Sequence, residues 1–311
     1  MGLSFVSPAA IPGFDNVNDS GEIERRKRGA VGVFDRSAAS YGRVGPPFFD
    51  HYADRLVELA RISKGARVLD VATGRGAALF LAAERAGPTG AVTGIDLSDA
   101  MVEATARDAS RHALANVEVR KADAEDLPFP DHSFDHVLCG FGVFFFPRAR
   151  LALSEFRRVL KPGGQVALST WAREDERWDR LYDLANRYLP PEPGPPADET
   201  RRPMHDFETP QGMRTLMSET GFGDIRVVEE SGDFVYATAE EWWSTQWSHG
   251  GRARLEKIEA ALGKEGLARF QSEVFEHLKA MARPDGIHHP MPVLFTLAAR
   301  PREETGGGTG I

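Results

Sequence analysis

The sequence predicts a doubly wound α/β fold with a mostly parallel sheet, and three observations support that prediction. Between about residues 64 and 171, short runs rich in β-branched residues alternate with segments whose apolar residues recur at helical spacing. One of these runs leads through a glycine turn directly into a helical segment, which is typical of a βαβ unit. The chain has 311 residues, enough for one such domain with additional elements.

The elements of this central region follow one another in a regular order. A helix is expected first at residues 48–61, because Phe49, Tyr52 and Leu56 recur at helical spacing. Five strands are then expected, at residues 66–72, 91–96, 117–121, 134–140 and 165–171. The helices between them are expected at residues 77–86, 98–114 and 148–160. Parallel strands joined by such crossover helices form a sheet that is covered on both faces.

The C-terminal part of the chain continues this pattern less regularly. The expected elements are a proline-rich loop at 189–203, a helix at 210–220, a strand at 224–230 and the last strand of the sheet at 292–300. An apolar stripe that includes Phe270 and Val274 predicts a further helix between those two strands. Because about sixty residues separate the strands, we expect residues 233–291 to form a helical lid insertion.

Both ends of the chain are expected to be mobile, at residues 1–30 and 301–311. The C-terminal end contains the sequence GGGTG and has too few apolar residues for a core. A basic run at residues 25–28 is interpreted as solvated surface. Residues 31–63 are expected to form a helical entry segment that precedes the sheet.

Composition argues against several classes of protein. The formal net charge of −8 argues against binding to nucleic acid, and the single cysteine, Cys139, leaves no partner for a disulfide within the chain. No apolar run approaches the ~18–20 residues of a membrane span, and the first residues do not resemble a secretory signal. No spacing of histidine, cysteine and acidic residues is typical of a metal site. We therefore expect a cytoplasmic monomer or homodimer that needs no metal and does not bind membranes.

The glycine turn at residues 68–76 carries the strongest functional signal. Gly74 and Gly76 lack Cβ atoms, so the backbone can turn tightly and approach a ligand at the start of the next helix. Asp96 ends the next strand, where a carboxylate can accept both hydroxyls of a ribose. Asp70, on the first strand, would repel a diphosphate and attract a cationic amino group. S-adenosylmethionine therefore fits this turn better than a dinucleotide does.

Four motifs resemble, in order, those of the class I S-adenosylmethionine-dependent methyltransferases, in the subgroup of menaquinone and ubiquinone methyltransferases. They lie at residues 68–76, 92–98, 121–135 and 156–164, and they span about a third of the chain. The segment at residues 34–41 resembles the aromatic entry segment of the family. The resemblance implies a Rossmann-like sheet of seven strands, with the cofactor domain at residues 64–232.

The resemblance also implies how the methionine and ribose parts of the cofactor are held. Asp70 and Gly74 would bind the amino end, and Gly76 would allow the backbone to approach closely. Asp96 would bind the ribose hydroxyls. Ala72 stands where the family has its first glycine, so a methyl group lies beside the methionine end.

The adenine contacts are implied by the motifs after the second and third strands. Leu97 and Met101 would pack on the adenine ring. Asp123 would accept a hydrogen bond from the adenine amino group, and the backbone of Ala124 would meet a ring nitrogen.

The methyl group and its acceptor are expected at the ends of the fourth and fifth strands. By resemblance, Gly140 and Phe141 would lie near the methionine part, and Tyr41 would close over the cofactor. Aromatic residues are dense around these positions, which predicts an apolar acceptor pocket under the lid. The candidate acceptor contacts are Phe144, Trp171, Trp243 and Trp247.

Two histidines are candidate catalytic bases, which are needed only if the methyl-accepting atom carries a proton. His249 lies in the expected lid beside the glycines Gly250 and Gly251, which could let it approach the acceptor. His205 follows the proline-rich loop.

These observations predict an enzyme that transfers a methyl group from S-adenosylmethionine to an O, C or N atom of a small apolar metabolite. Specialised, natural-product metabolism and quinone-like metabolism both fit such an acceptor. An isoprenoid acceptor, a non-methylating cyclase and a binding protein on the same fold are alternatives. A nicotinamide-dependent oxidoreductase is a further alternative, but its fingerprint needs a small residue where Leu79 stands.

Overall fold

A seven-stranded sheet forms the centre of the computed structural model, which describes residues 20–190 and 205–302. Its strands are β1 (Arg67–Val71), β2 (Ala91–Asp96), β3 (Val117–Lys121), β4 (Phe134–Gly140), β5 (Leu160–Trp171), β6 (Gly223–Tyr236) and β7 (Ile287–Ala299). They lie in the order β3-β2-β1-β4-β5-β7-β6, with β1 to β5 parallel and β7 antiparallel to both of its neighbours. The strand order reverses between β1 and β4, and in such sheets ligands bind at that point, beyond the carboxyl ends of the strands.

Helices cover both faces of this sheet, as the sequence predicts. They are α1 (Ser20–Ser37), α2 (Phe48–Ala60), α3 (Ala77–Ala86), α4 (Asp99–Arg111), α5 (Ala149–Val159), α6 (Glu176–Tyr188), α7 (His205–Glu208), α8 (Pro210–Glu219), α9 (Ala239–Ser248) and α10 (Arg252–Met281). Side-chain caps fix several starts: Ser98 accepts from the amide of Met101 at α4, and Asp175 accepts from the amide of Arg177 at α6. The predicted fold class is confirmed.

Strands β6 and β7 extend further than the sequence predicts, so the insertion between them is shorter. Residues 231–236 pair with residues 287–292, although residues 233–236 and 287–291 were expected to belong to a lid at 233–291. The connection between the two strands therefore comprises residues 237–286. The sequence analysis underestimated the length of β6 because this strand lies at the edge of the sheet. Its many exposed polar residues do not give the apolar pattern by which a strand is recognised.

The N-terminal segment also differs from its prediction. Residues 1–19 lie outside the described part of the chain, but residues 20–30, expected to be mobile, belong to α1. The basic run is not wholly solvated, because Lys27 is buried and its Nζ lies 2.6 Å from Asp123 Oδ2 and 2.7 Å from Glu125 Oε2. Sequence periodicity misses such an arrangement because the partners of Lys27 lie about a hundred residues away.

A second hydrophobic core lies in the insertion, apart from the core around the sheet. It packs α6, α9 and α10 together, and its buried residues include Trp178, Trp243, Ile258, Phe270 and Val274. The predicted apolar stripe is therefore the buried face of α10.

In the proline-rich loop and the C-terminal tail, residues 191–203 and 303–311 lie outside the described residues.

Candidate active site

The glycine turn after β1 adopts the tight conformation that its sequence predicts. Gly74 and Gly76 have positive φ values of 52° and 82°. A Cβ atom on Gly76 would lie 2.8 Å from the ring of Phe80, so a larger residue would not fit without displacing that ring. Ala72, which replaces a glycine of the family motif, has a φ of 55°, so this turn carries local backbone strain.

Two carboxylates face this turn, the buried Asp70 and the partly buried Asp96. Asp96 Oδ2 accepts a hydrogen bond from the Gly74 amide and Oδ1 accepts one from the Ser98 amide, both at 2.9 Å. Asp70 accepts a hydrogen bond from Thr73 Oγ1 at 2.6 Å. Burial, together with the charge of Asp96, raises the pKa of Asp70 to about 7. Two carboxylates in so little water favour a cationic or hydroxyl-rich ligand over an anionic one.

A cavity of about 790 Å³, partly open to solvent, lies above the carboxyl ends of β1, β2 and β4. Ten of the twelve residues expected to contact the cofactor line it: Tyr41, Ala72, Gly74, Asp96, Leu97, Met101, Asp123, Ala124, Gly140 and Phe141. Asp70 instead lines an adjoining groove that shares Ala72, Gly74 and Phe141 with the cavity, and Gly76 lies behind the turn. We call this space the cofactor cavity.

Helix α1 closes the side of the cofactor cavity where the adenine contacts are expected. Ala30, Val31 and Phe34 of α1 line it beside Lys27. Asp123 Oδ2 binds Lys27, and its Oδ1 accepts from the Glu125 amide at 2.9 Å. A carboxylate has about four lone-pair positions, so Asp123 can still accept a further hydrogen bond.

A second cavity of about 600 Å³ lies beside the first and has mostly aromatic walls. The two share the side chains of Phe34, Tyr41, Phe141 and Phe145 as a common wall. Trp171 lines the second cavity and stacks on Phe141, with ring centroids 4.1 Å apart. We call this space the aromatic pocket.

The four predicted acceptor contacts separate into two groups. Phe144 and Trp171 line the aromatic pocket. Trp243 and Trp247 do not: Trp243 packs against Phe270 in the second core, and Trp247 lies under the guanidinium of Arg252. Both indoles lie on α9 and contact other residues of the insertion instead of the pocket. The aromatic composition of the segment does not show which way its side chains face.

His249 lines the aromatic pocket, but its hydrogen bonding favours a role other than the predicted base. Its Nδ1 accepts a hydrogen bond from the Gly251 amide at 3.0 Å. Burial lowers the pKa of His249 to about 4, so the ring is neutral and carries its hydrogen on Nε2. A ring in this state donates a hydrogen bond and has no free lone pair. His205, the other candidate, begins α7, and its side chain lies outside the described part of the structure.

Two polar residues of the aromatic pocket region were missed by the sequence analysis. His289 lines the pocket, and its Nε2 lies 3.2 Å from Oε2 of Glu174, which follows β5. The alternation of buried and exposed residues along β7, in which His289 faces inward and His288 outward, could have identified His289. The sequence analysis did not consider it because this part of β7 was expected to belong to the lid.

Among the described residues, no group of three or more histidine, cysteine, aspartate or glutamate side chains could hold a metal ion. None of the helices that the structure describes is both long enough and apolar enough to cross a membrane.

The sequence of this chain is similar to those of known methyltransferases. Residues 68–164 match the family model described as a methyltransferase domain. The chain is 32% identical to nocamycin O-methyltransferase of Saccharothrix syringae, over 89% of this chain and 99% of that protein. It is also 32% identical to demethylmenaquinone methyltransferase of Listeria monocytogenes, over 64% of this chain and 90% of that protein. The crystal structure of the YcgJ protein of Bacillus subtilis, 20% identical, matches with a TM-score of 0.54 over 81% of this chain and 99% of that one, a likeness of fold.

Proposed function

Because this chain belongs to the class I S-adenosylmethionine-dependent methyltransferases, we propose that it methylates an oxygen atom of a flat, apolar small molecule. The observation that carries the proposal is the aromatic pocket, which adjoins the cofactor cavity across one shared wall. Its mostly aromatic walls suit a flat molecule of fused rings. Oxygen is chosen because a protein named as an O-methyltransferase matches this chain over nearly its whole length. Such acceptors are common in specialised, natural-product metabolism.

The cofactor is S-adenosylmethionine, which supplies an electrophilic methyl group when it is bound. The residues of the cofactor cavity and of the groove beside it fit S-adenosylmethionine on three counts. Asp96 has lone pairs left for two ribose hydroxyls, and Asp70 offers a buried negative charge for the amino group. Leu97 and Met101 provide apolar contact for an adenine ring.

Catalysis would depend mainly on holding the acceptor atom in line with the methyl group of the cofactor, and less on proton transfer by a side chain. Holding two reactants in line can supply about 7–11 kcal/mol of the barrier. The shared wall of Tyr41 and Phe141 would set the position of a flat ring against the cofactor. His249, with its hydrogen on Nε2, would donate to the acceptor oxygen and orient it as an anion, whose proton has already been released to solvent. The insertion at residues 237–286 would act as a lid, since His249 and Gly250 close the pocket from that side.

Methyl transfer to a ring carbon of a quinone precursor is the second candidate. It is favoured by the similarity to demethylmenaquinone methyltransferase, which covers most of that protein. A hydrogen-bond donor such as His249 would suit a carbonyl or phenol oxygen beside that carbon equally well.

Transfer of a labelled methyl group tests the proposal. The purified protein would be incubated with methyl-labelled S-adenosylmethionine and a panel of naphthols, hydroxyanthraquinones and quinols, and the products analysed by mass spectrometry. A methyl ether as the product supports the proposal. A methyl group on ring carbon would establish the second candidate instead, and tight cofactor binding with no transfer to any acceptor would contradict both.

Cofactor affinity is expected to depend on pH through Asp70. The carboxyl is mostly protonated below pH 7, since burial raises its pKa to about 7 in the free protein. A cationic amino group favours the ionised form, so binding must release that proton at lower pH. We expect affinity to rise about tenfold per pH unit between roughly pH 5.5 and 6.5 and to level off above 7.

Calorimetry in two buffers of different ionisation heat measures this proton release directly. We expect nearly one proton to be released at about pH 6 and little at about pH 8. The Asp70→Asn variant should release no proton on binding the cofactor, and its affinity should not rise with pH. Equal affinity across this range in the unaltered protein would remove Asp70 from the cofactor site.

A further inference from the structure

A polar side chain, His289, lines the aromatic pocket outside the wall that it shares with the cofactor cavity. Phe34, Tyr41, Phe141 and Phe145 form the wall shared with the cofactor cavity, whereas His289 lines the aromatic pocket alone. Tyr182, Tyr236 and Met291 also line only the aromatic pocket. A molecule in the pocket would therefore have the shared wall on one side and His289 on another.

The ring of His289 is held in one orientation from two directions. It stacks on Trp178, with ring centroids 3.5 Å apart and planes at 16°. Its Nε2 lies 3.2 Å from Glu174 Oε2, while Glu174 Oε1 accepts a hydrogen bond from Tyr182 at 3.1 Å. Both Glu174 and His289 are almost fully buried.

This arrangement determines which ring nitrogen of His289 carries the hydrogen. A carboxylate only accepts hydrogen bonds, so Nε2 must donate to Glu174. Nδ1 then has a free lone pair, and it is buried without a hydrogen-bond partner among the described residues.

The charged and titratable groups around His289 come from several parts of the chain, and one of them is His249, which follows α9 and lines the same pocket. Glu174 follows β5, Tyr182 lies on α6, Tyr236 on β6 and Arg254 on α10. Burial and the charge of Glu174 raise the pKa of both tyrosines, so they stay neutral. The guanidinium of Arg254 lies 4.9 Å from the centre of the Tyr182 ring and adds a positive charge beside Glu174. No residue in this group supplies a donor to Nδ1.

We infer that His289 is a specificity residue, whose Nδ1 accepts a hydrogen bond from a hydroxyl or N–H group at the far end of the acceptor molecule. The inference rests on the proposed function, since it assumes that the acceptor occupies the aromatic pocket. Glu174 is the positioning residue, because it holds the hydrogen of His289 on Nε2. The acceptor class is thereby narrowed to flat molecules with an oxygen nucleophile at one end and a hydrogen-bond donor at the other. An analogue without that donor would leave Nδ1 unsatisfied, and such sites reject these analogues strongly.

Equilibrium binding tests this inference independently of methyl transfer. The methyl ether of β-naphthol keeps the oxygen atom but carries a methyl group in place of the hydroxyl hydrogen, so it has lost the donor. Tryptophan fluorescence would report the binding of both compounds to the protein loaded with S-adenosylhomocysteine. We expect β-naphthol to bind roughly 10- to 100-fold more tightly. His289→Phe, which keeps the stacking on Trp178, should abolish this preference, and His289→Gln, which keeps an acceptor atom, should restore part of it.

The neighbouring histidine provides a matched control. His288 faces outward and binds Asp233 and Asp285, so His288→Phe should leave the preference unchanged. Equal affinity for both naphthalenes in the unaltered protein would overturn the inference, while methyl transfer to the acceptor panel reports separately on the proposed function. A preference that His289→Phe leaves intact would also overturn the inference, and so would failure of both ligands to bind.

A spectroscopic measurement covers the case in which His289→Phe does not fold. Nitrogen-15 chemical shifts of histidine side chains distinguish the two neutral forms of the ring, and His289→Gln identifies the signal. We expect hydrogen on Nε2 of His289 in the unaltered protein and a mixture of the two forms in Glu174→Gln. A ring with hydrogen on Nδ1 would contradict the inference, since it could not accept a hydrogen bond there.

Discussion

Replacing Asp96 with alanine is expected to weaken the binding of S-adenosylmethionine by roughly 10²–10⁴-fold, the largest effect of any substitution considered. Two charge-assisted hydrogen bonds to ribose hydroxyls are each worth about 1.5–3 kcal/mol, and about 1.4 kcal/mol corresponds to a tenfold change. The carboxylate also holds the turn, because it accepts from the amides of Gly74 and Ser98. Isothermal titration calorimetry would measure the loss.

Two further variants separate the loss of the ligand contact from damage to the turn. Asp96→Asn keeps the size and one acceptor oxygen, so it should cost less affinity than the alanine variant. Asp99→Ala removes an exposed carboxylate three residues away that pairs with Lys121, and it should leave affinity within twofold. Cofactor affinity within twofold of the unaltered protein in Asp96→Ala would show that the ribose binds elsewhere.

Replacing Trp171 with alanine is expected to lower kcat/KM for the acceptor about 10- to 100-fold while cofactor affinity changes less than threefold. The indole lines the aromatic pocket and stacks on Phe141, so its removal enlarges the pocket and releases the ring that separates acceptor from cofactor. Loss of about 2 kcal/mol of apolar contact accounts for an effect of this size. Steady-state kinetics with a fixed acceptor, together with calorimetry of the cofactor, would measure both quantities.

Trp243→Ala is the matched control for Trp171→Ala. Trp243 is buried in the second core and does not line the aromatic pocket, so its loss should lower the free energy of unfolding by about 3–5 kcal/mol. The KM for the acceptor should stay within threefold at a temperature where the variant is folded. If the two variants instead changed acceptor kinetics equally, the aromatic pocket would not be the acceptor site.

The sequence predicts well those features that depend on local pattern. The strands and helices around the sheet follow from periodicity, and the positions of Asp96 and Gly74 follow from the end of a strand and a tight turn. These residues lie close together because the carboxyl ends of parallel strands meet at one edge of the sheet. The cofactor cavity was predictable for the same reason.

Features that depend on contacts between distant segments could not be predicted. The burial of Lys27 depends on Asp123 and Glu125, and the pairing of His289 with Glu174 joins residues 115 apart in sequence. The placement of Trp243 depends on which face of α9 packs on α10. In each case the location of the side chain, in a pocket, in a core or at the surface, depends on tertiary packing that the sequence does not show.

The most direct test is a crystal structure of the protein with S-adenosylhomocysteine and the best acceptor from the labelled-methyl panel. We predict ribose hydroxyls bound to Asp96 and the acceptor in the aromatic pocket, on the other side of the wall formed by Tyr41 and Phe141. The methyl-accepting oxygen should lie between Tyr41 and Phe141 and face the sulfur atom of the cofactor. An acceptor bound instead in the groove beside Arg43 and Asp50, or a ribose without contact to Asp96, would contradict the account.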